Sequence, residues 1–352
     1  MYSKAVRYWL IAGCILLFFQ VVIGGITRIT GSGLSITEWD IVFGTFPPMN
    51  PESWGVEFDK YKATPQYNQL NEGMSMSDFK FIYFWEYFHR LWARMMGFIF
   101  LIPAIFFTLN KSLDGKLWRK LYPVIGFAGL AAVFGWIMVA SGLIDRPWVN
   151  AYKLSIHLSI AFITFAFLVR ATLFSFSESI NRALTKIPSF FLVLGAVFAI
   201  QVVFGGIMSG MRAGLVFPTW PDMGGAFAPA VLTDGSNWTV ENLEYYERSS
   251  FAPALIQFIH RLTAYGLAVL VFIGWKKQSK MPEGVSGWYK IFTGLIGLQV
   301  IVGILTVISC KGSIPLGLGV LHQAIALMLV GAFVGVLFVM KRSQPADTLE
   351  VL

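Results

Sequence analysis

The sequence predicts an all-α integral membrane protein, with eight transmembrane helices arranged as two tandem four-helix bundles. A pseudo-twofold axis along the membrane normal relates them. Three observations carry this expectation: composition, the spacing of apolar runs and an internal repeat. The 352 residues are 56% hydrophobic and only 13% charged, with a mean hydropathy of +0.65; soluble domains run near about 25% charged. The net charge of +8 does not indicate nucleic acid, because the basic residues sit in short loops beside apolar runs, where they set topology.

A span needs about 20 mainly apolar residues, and eight stretches qualify: roughly 6–27, 81–109, 119–141, 151–174, 188–210, 253–275, 288–309 and 315–340. Lys4 and Arg7 precede the first run with no small-residue cleavage site after it, so it reads as a retained helix and not a signal peptide. The second run is the longest and its polar start is expected to project from the bilayer. The connections after spans two, four and six are short and basic, with Lys111, Lys116, Arg119 and Lys120, then Arg170, Arg182 and Lys186, then Lys276, Lys277 and Lys280. With Lys341 and Arg342 at the end, the positive-inside rule places both termini in the cytoplasm. The connections after spans one and five are long, lack clear periodicity and carry Trp39, Trp54, Trp220 and Trp238. Long aromatic loops of this kind suit the covering of a site at the membrane face. Cys14 and Cys310 read as two unpaired thiols, since no CxxC or Cys/His spacing points to zinc or an iron–sulfur cluster.

The repeat is direct. Gln20-Val21-Val22-Ile23-Gly24-Gly25-Ile26 recurs as Gln201-Val202-Val203-Phe204-Gly205-Gly206-Ile207, and Phe88-His89-Arg90-Leu91 as Ile259-His260-Arg261-Leu262. The offset falls from 181 (Gln20 to Gln201) to 165 (His157 to His322), as loop-length differences would produce. Four spans per half give both halves the same topology. The expected halves are 1–186 and 187–352.

The chain has only four histidines, His89, His157, His260 and His322, two in each half. Each falls near the outer end of a span. Imidazole in a membrane is costly without a partner and marks a functional site. One histidine from each of two facing helices can hold an iron between them, so the pairs His89/His157 and His260/His322 predict two bis-histidine haems. Gly24, Gly25, Gly205 and Gly206 would let a macrocycle approach the backbone; close helix packing explains them equally well. Arg90 and Arg261 follow the first histidine of each pair and can reach a haem propionate, with snorkelling to the headgroups as the alternative. Glu86 precedes His89 by three, whereas Gln257 precedes His260. Spacing of three puts Glu86 and His89 on one helical face, where the carboxylate can accept a proton or pair with Arg90 or Lys80. The asymmetry suggests one chemically active half.

Gly24-Gly25-Ile26-Thr27-Arg28, then Gly33-Leu34-Ser35 and Glu38-Trp39, then Phe79-Lys80-Phe81-Ile82-Tyr83-Phe84-Trp85-Glu86-Tyr87-Phe88-His89-Arg90 resemble haem A synthase of the alphaproteobacterial and mitochondrial type. Ser141-Gly142-Leu143, Ala151 to Leu158, Ala213-Gly214, Phe217 to Pro221, Gln257 to Arg261 and His322-Gln323 extend the resemblance over nearly the whole chain. It implies an eight-helix oxidoreductase of the bacterial inner membrane that converts the C8 methyl of haem O to a formyl by successive hydroxylations. The product, haem A, serves terminal oxidases. The resemblance further implies haem O at His89 and His157, a functionally important glutamate at Glu86, and haem b as cofactor at His260 and His322. A cysteine pair found in the first outer loop of some relatives is missing here. Haem O is the implied substrate, with a haem O synthase and an electron-transfer protein as partners and a homo-oligomer left open. A farnesylated substrate leads us to expect a site that opens laterally to lipid. Two rival readings stand beside this one: a dihaem b-type cytochrome that only transfers electrons, and a membrane transporter or assembly factor.

Overall fold

A computed structural model describes residues 2–38, 46–144, 146–177 and 187–341. Trp39, Arg182, Lys186 and Arg342 lie outside the described residues, and with Lys186 the last residue of the expected first half.

Eight long apolar helices are present among the described residues. They are α1 (Lys4–Ile29), α4 (Met76–Leu109), α5 (Gly115–Gly142), α6 (Ala151–Phe176), α7 (Ser189–Gly210), α10 (Phe251–Lys277), α11 (Glu283–Ile308) and α12 (Leu316–Met340). Their starts follow the local chemistry. Ser3, Ser75, Asp114 and Asn150 accept backbone N–H bonds at the heads of α1, α4, α5 and α6, satisfying donors a helix start leaves open. Pro188, Pro282 and Pro315 stand at the heads of α7, α11 and α12. At 34 residues, α4 is the longest.

The two long connections are not irregular throughout. The first contains α2 (Pro51–Lys62) and α3 (Pro65–Leu70); the second contains α8 (Ala230–Thr233) and α9 (Val240–Glu244). Asn50 and Ser53 form a reciprocal cap on α2, and Thr64 caps α3. Trp54, Phe58 and Tyr61 of α2 pack on Phe79 and Tyr83 at the projecting start of α4. In the second connection the Tyr246 hydroxyl accepts from Ala151 N at 2.9 Å, and Arg146 pairs with Glu247 at 3.0 Å. Both connections are thereby tied down over the end of the bundle that carries the histidines.

Equivalent helices pack in equivalent pairs: α1 on α4 as α7 on α10, α5 on α6 as α11 on α12, and α1 on α12 as α7 on α6. Small residues set the seam between halves. A Cβ on Gly206 would lie 2.8 Å from Ser155 Oγ, and one on Gly210 would lie 2.5 Å from Ala151 Cα. Gly25 meets Gln323 Oε1 at 2.8 Å in the same way. Ser155 Oγ donates to Val203 O at 2.7 Å, and Gln323 Nε2 donates to Val21 O at 2.8 Å. Lipid offers no hydrophobic drive between helices, so close approach and such interhelical bonds hold the seam. Gly25 and Gly206 are thus packing glycines.

Two contacts break the pairing: α1 packs closely on α6 whereas α7 and α12 stand further apart, and the α4–α5 side differs from its counterpart. The second half closes where α10 meets α11, whereas α4 and α5 hardly touch. Phe98, Ile102 and Ile105 of α4 and Val133 and Trp136 of α5 are exposed. Both thiols are free: Cys14 lies 3.3 Å from Thr172 Oγ1, and Cys310 donates to Thr306 O.

Candidate functional site

The first half encloses a cavity of about 920 Å3, lined by His89, His157, Glu86, Gln20 and Gly24 among mainly apolar side chains. This is the upper range for a small-molecule site, about 300–1,000 Å3. His89 on α4 and His157 on α6 line this one cavity, and His260 and His322 lie on α10 and α12 of the second half. The structure brings His89 and His157 to one site, as expected of the first pair. Among the described residues no group of three or more His, Cys, Asp or Glu gathers, so the donors come two at a time.

A glycine on the neighbouring helix faces each ring. A Cβ on Gly24 would lie 3.0 Å from His89 Nε2, and one on Gly135 would lie 3.2 Å from His157 Cε1. Gly205 stands likewise 3.3 Å from His260 Cε1, and Gly303 stands 2.9 Å from His322 Cε1. Of the glycines singled out in the sequence, Gly24 and Gly205 belong to the site. Gly135 and Gly303 were missed; they stand at unequal distances, 22 and 19 residues, ahead of the second histidine of each half, so spacing alone did not reveal them.

Three of the four rings are held by glutamine amides. Gln20 Nε2 donates to His89 Nε2 at 2.9 Å, Gln201 to His260 Nε2 at 3.2 Å, and Gln299 to His322 Nε2 at 3.2 Å. The Gln201 carbonyl in turn accepts from the Thr263 hydroxyl. His157 differs. Aligning Gly135 with Gly303 puts Ala131 opposite Gln299, and His157 Nδ1 donates to Ala131 O at 2.9 Å. An imidazole whose one nitrogen is fixed by a backbone carbonyl presents the other as a ready ligand. In the second half, Nδ1 of both His260 and His322 is buried without a partner, as are the Oε1 atoms of Gln20 and Gln299. Native proteins seldom leave buried polar atoms unpaired, and an open ring nitrogen on each of two histidines fits the donor set of an iron-centred macrocycle.

Glu86 is only 2% exposed. Its Oε1 accepts from Arg90 Nη2 at 2.6 Å. Its Oε2 accepts from Ser35 N at 2.7 Å, Ser35 Oγ at 2.8 Å and Ile36 N at 2.9 Å. The carboxylate lines the cavity and also clasps the strand of chain leaving α1. Arg90 completes that clasp by donating to Ile36 O and Glu38 O. The second half builds a neutral version, in which Gln257 Nε2 donates to Phe217 O at 2.8 Å. There Arg261 donates to the carbonyls of Asp222, Phe217 and Thr219. Both arginines thus engage loop backbone. Arg90 lines the first cavity, as do Arg28, Arg94 and Arg212, which were not among the predicted site residues.

A family model described as cytochrome oxidase assembly protein, COX15-CtaA, matches residues 7–334. The chain is 37% identical to the heme A synthase of Flavobacterium psychrophilum, over 93% of this chain and 96% of that protein. It is 39% identical to the heme A synthase of Nitrosospira multiformis, over 94% and 92%, and 38% identical to that of Brucella anthropi, over 93% and 89%. Matches of this extent, on a chain with eight such helices and two histidine pairs, mean that it belongs to the COX15-CtaA family of cytochrome oxidase assembly proteins.

Proposed function

We propose that the chain is a haem A synthase, an oxidoreductase that converts the C8 methyl of haem O to the formyl of haem A. The observation that carries the reading is the unequal pair of histidine sites. One opens on a large cavity with a carboxylate at its wall; in the other a neutral Gln257 replaces that carboxylate and α10 meets α11. An enzyme whose substrate is itself a haem needs one site that exchanges its occupant and one that keeps it.

In this reading residues 1–186 form the substrate half, with His89 and His157 as ligands to the haem O iron. Residues 187–352 form the cofactor half, with His260 and His322 holding haem b. A pseudo-twofold axis along the membrane normal relates the halves. When bound, haem b supplies electron-transfer chemistry. The protein's part is positional. His157, fixed through Ala131 O, orients the substrate macrocycle, and the glycines facing the rings leave room for it. Glu86 stands at the cavity wall as the candidate proton acceptor, its clasp with Arg90 and Ser35 keeping it in place. The gap between α4 and α5 gives the farnesyl chain a way out to lipid. The basic connections put both termini in the cytoplasm of a bacterial inner membrane and the histidines toward the outer face. A haem O synthase and an electron-transfer protein are the expected partners.

Pigment analysis of the protein purified from cells that make haem O tests the reading. Haem b together with haem O or haem A supports it. Haem b alone would favour a dihaem cytochrome, and a colourless protein would exclude both haem readings and favour a transporter or assembly factor. Glu86→Ala should retain bound haem and stop haem A formation; full production by that variant would refute the role of the carboxylate.

A further inference from the structure

We propose that Arg28 and Arg212 form a two-guanidinium clamp for the carboxylates of the macrocycle in the first cavity, so that a residue of the C-terminal half completes the N-terminal site. The proposal rests on the haem reading above and names what anchors the substrate's polar edge.

Both side chains line the cavity that holds His89 and His157. Arg28 lies in the last turn of α1, where its Nη2 donates to Ser209 O at 2.7 Å and Gly210 O at 2.8 Å. These are carbonyls that the end of α7 leaves open. Its Nε is buried with no partner. Arg212 follows α7 and sets its guanidinium over the Trp148 ring, 4.4 Å from the centroid. Burial lowers its pKa from the ordinary arginine value. The two cations are near enough to repel each other, and neither forms an ion pair with a carboxylate among the described residues. Two uncompensated charges beside an apolar cavity are costly unless an anion joins them.

The repeat sharpens the point. At the offset of 181 that relates Gln20 to Gln201, Arg28 aligns with Ser209 and Arg212 with Gly31. Gly31 and Arg212 share a left-handed backbone, with φ of 72° and 52°. Glycine adopts it freely, whereas arginine does so at a cost. The half that could have used glycine carries a guanidinium, and that guanidinium faces the cavity of the other half. Arg90 also lines this cavity, but its charge is already paired with Glu86, and Arg261 is engaged by loop carbonyls in the other half. Guanidinium forks match carboxylates in two-point geometry, and a haem carries two propionates on one edge. A clamp at the loop end would fix which edge of the macrocycle faces the membrane interior, and with it which methyl the site presents.

The test titrates the purified full-length protein with haem O and with its propionate dimethyl ester, followed by absorbance. Wild type should bind haem O at least about tenfold more tightly than the ester, the scale of a charge-assisted hydrogen bond. Arg212→Gln and Arg28→Gln should each lose about tenfold for haem O and nothing for the ester, with Arg212→Lys recovering part. Haem retained by His260 and His322 reports that each variant is folded, and the ester comparison in wild type needs no variant. Equal affinity of wild type for haem O and ester, or unchanged haem O affinity in both glutamine variants, overturns the clamp and leaves the haem reading standing. If wild type binds neither compound and His89→Ala changes nothing, the haem reading falls and the clamp falls with it.

Discussion

Replacing Glu86 by glutamine keeps the side chain's shape and removes its charge, which isolates what the carboxylate holds. Four bonds converge on it: Arg90 Nη2 at 2.6 Å, Ser35 N at 2.7 Å, Ser35 Oγ at 2.8 Å and Ile36 N at 2.9 Å. The side chains of Glu86 and Arg90 are 3% and 11% exposed, and breaking a buried pair from one side costs about 3–5 kcal/mol. Two features pull the estimate to the low end. Arg90 keeps Ile36 O and Glu38 O, and Gln257 shows that an amide here can still bond the loop, at Phe217 O. A loss of about 3 kcal/mol is about a hundredfold in a local opening equilibrium. It should act on the segment leaving α1, not on the whole fold, because apart from Arg90 on the same helix the bonds run to Ser35 and Ile36. Amide exchange of the 31–38 peptide, measured by mass spectrometry in nanodiscs, should therefore accelerate about a hundredfold in Glu86→Gln, with α12 unchanged. Unchanged protection of Ser35 and Ile36 would refute the clasp.

His260→Ala or His322→Ala should strip haem b from the purified protein while the first cavity still takes up haem O; unchanged haem b content would break the half-site assignment. Gly303→Ala puts a Cβ 2.9 Å from His322 Cε1, so it should lower haem b per protein. Gly297→Ala, with open space around its Cβ, serves as the control that should not. Gly210→Ala would set a Cβ 2.5 Å from Ala151 Cα, a backbone atom that cannot swing aside. Overpacking of this kind costs about 1–3 kcal/mol. It should lower the thermal midpoint in detergent by a few degrees, whereas Gly126→Ala, which meets nothing within 4 Å, should not.

Spans and histidine pairs were legible because both are local or periodic signals. An apolar run of span length has few readings, and every predicted span overlaps one helix with bounds shifted by a few residues. The repeat then paired the histidines without any contact being known. The short helices α2 and α3 were missed although Asn50-Pro51 and Thr64-Pro65 are helix-start signals; aperiodic hydropathy outweighed them in the reading. Gln20, Gln201 and Gln299 on the imidazoles could not be read off, because nothing in a glutamine on an apolar helix says which ring it will meet. Arg28 and Arg212 were invisible for a related reason. Their convergence depends on the end of α1 reaching the end of α7, where Arg28 bonds Ser209 and Gly210, and arginine near a membrane boundary has an ordinary alternative in snorkelling. The role of Glu86 was only half legible: spacing put it beside His89, but the hold on Ser35 and Ile36 belongs to a loop.

The departures from the repeat explain why the opposed glycines can recur four times and still give unequal sites. Gly24, Gly135, Gly205 and Gly303 clear the same space before each ring, so the room for a macrocycle is common to both halves. What differs is what surrounds that room. Gln299 holds His322 where Ala131 leaves His157 to a backbone carbonyl. Gln257 is neutral where Glu86 is charged, and α10 closes on α11 where α4 stands off α5. Each change on the first side exchanges a side-chain hold for a backbone one, adds a charge or opens a wall. A resident cofactor gains nothing from a charge or an open wall, since retention favours closure. A bulky substrate that must enter, be oriented and leave gains from both. The same reasoning makes a reciprocal demand. Closing α4 on α5 with a disulfide or paired large residues should slow haem O uptake while leaving haem b in place, and equal loss of both pigments would show that the wall between α4 and α5 supports the fold instead of gating the site.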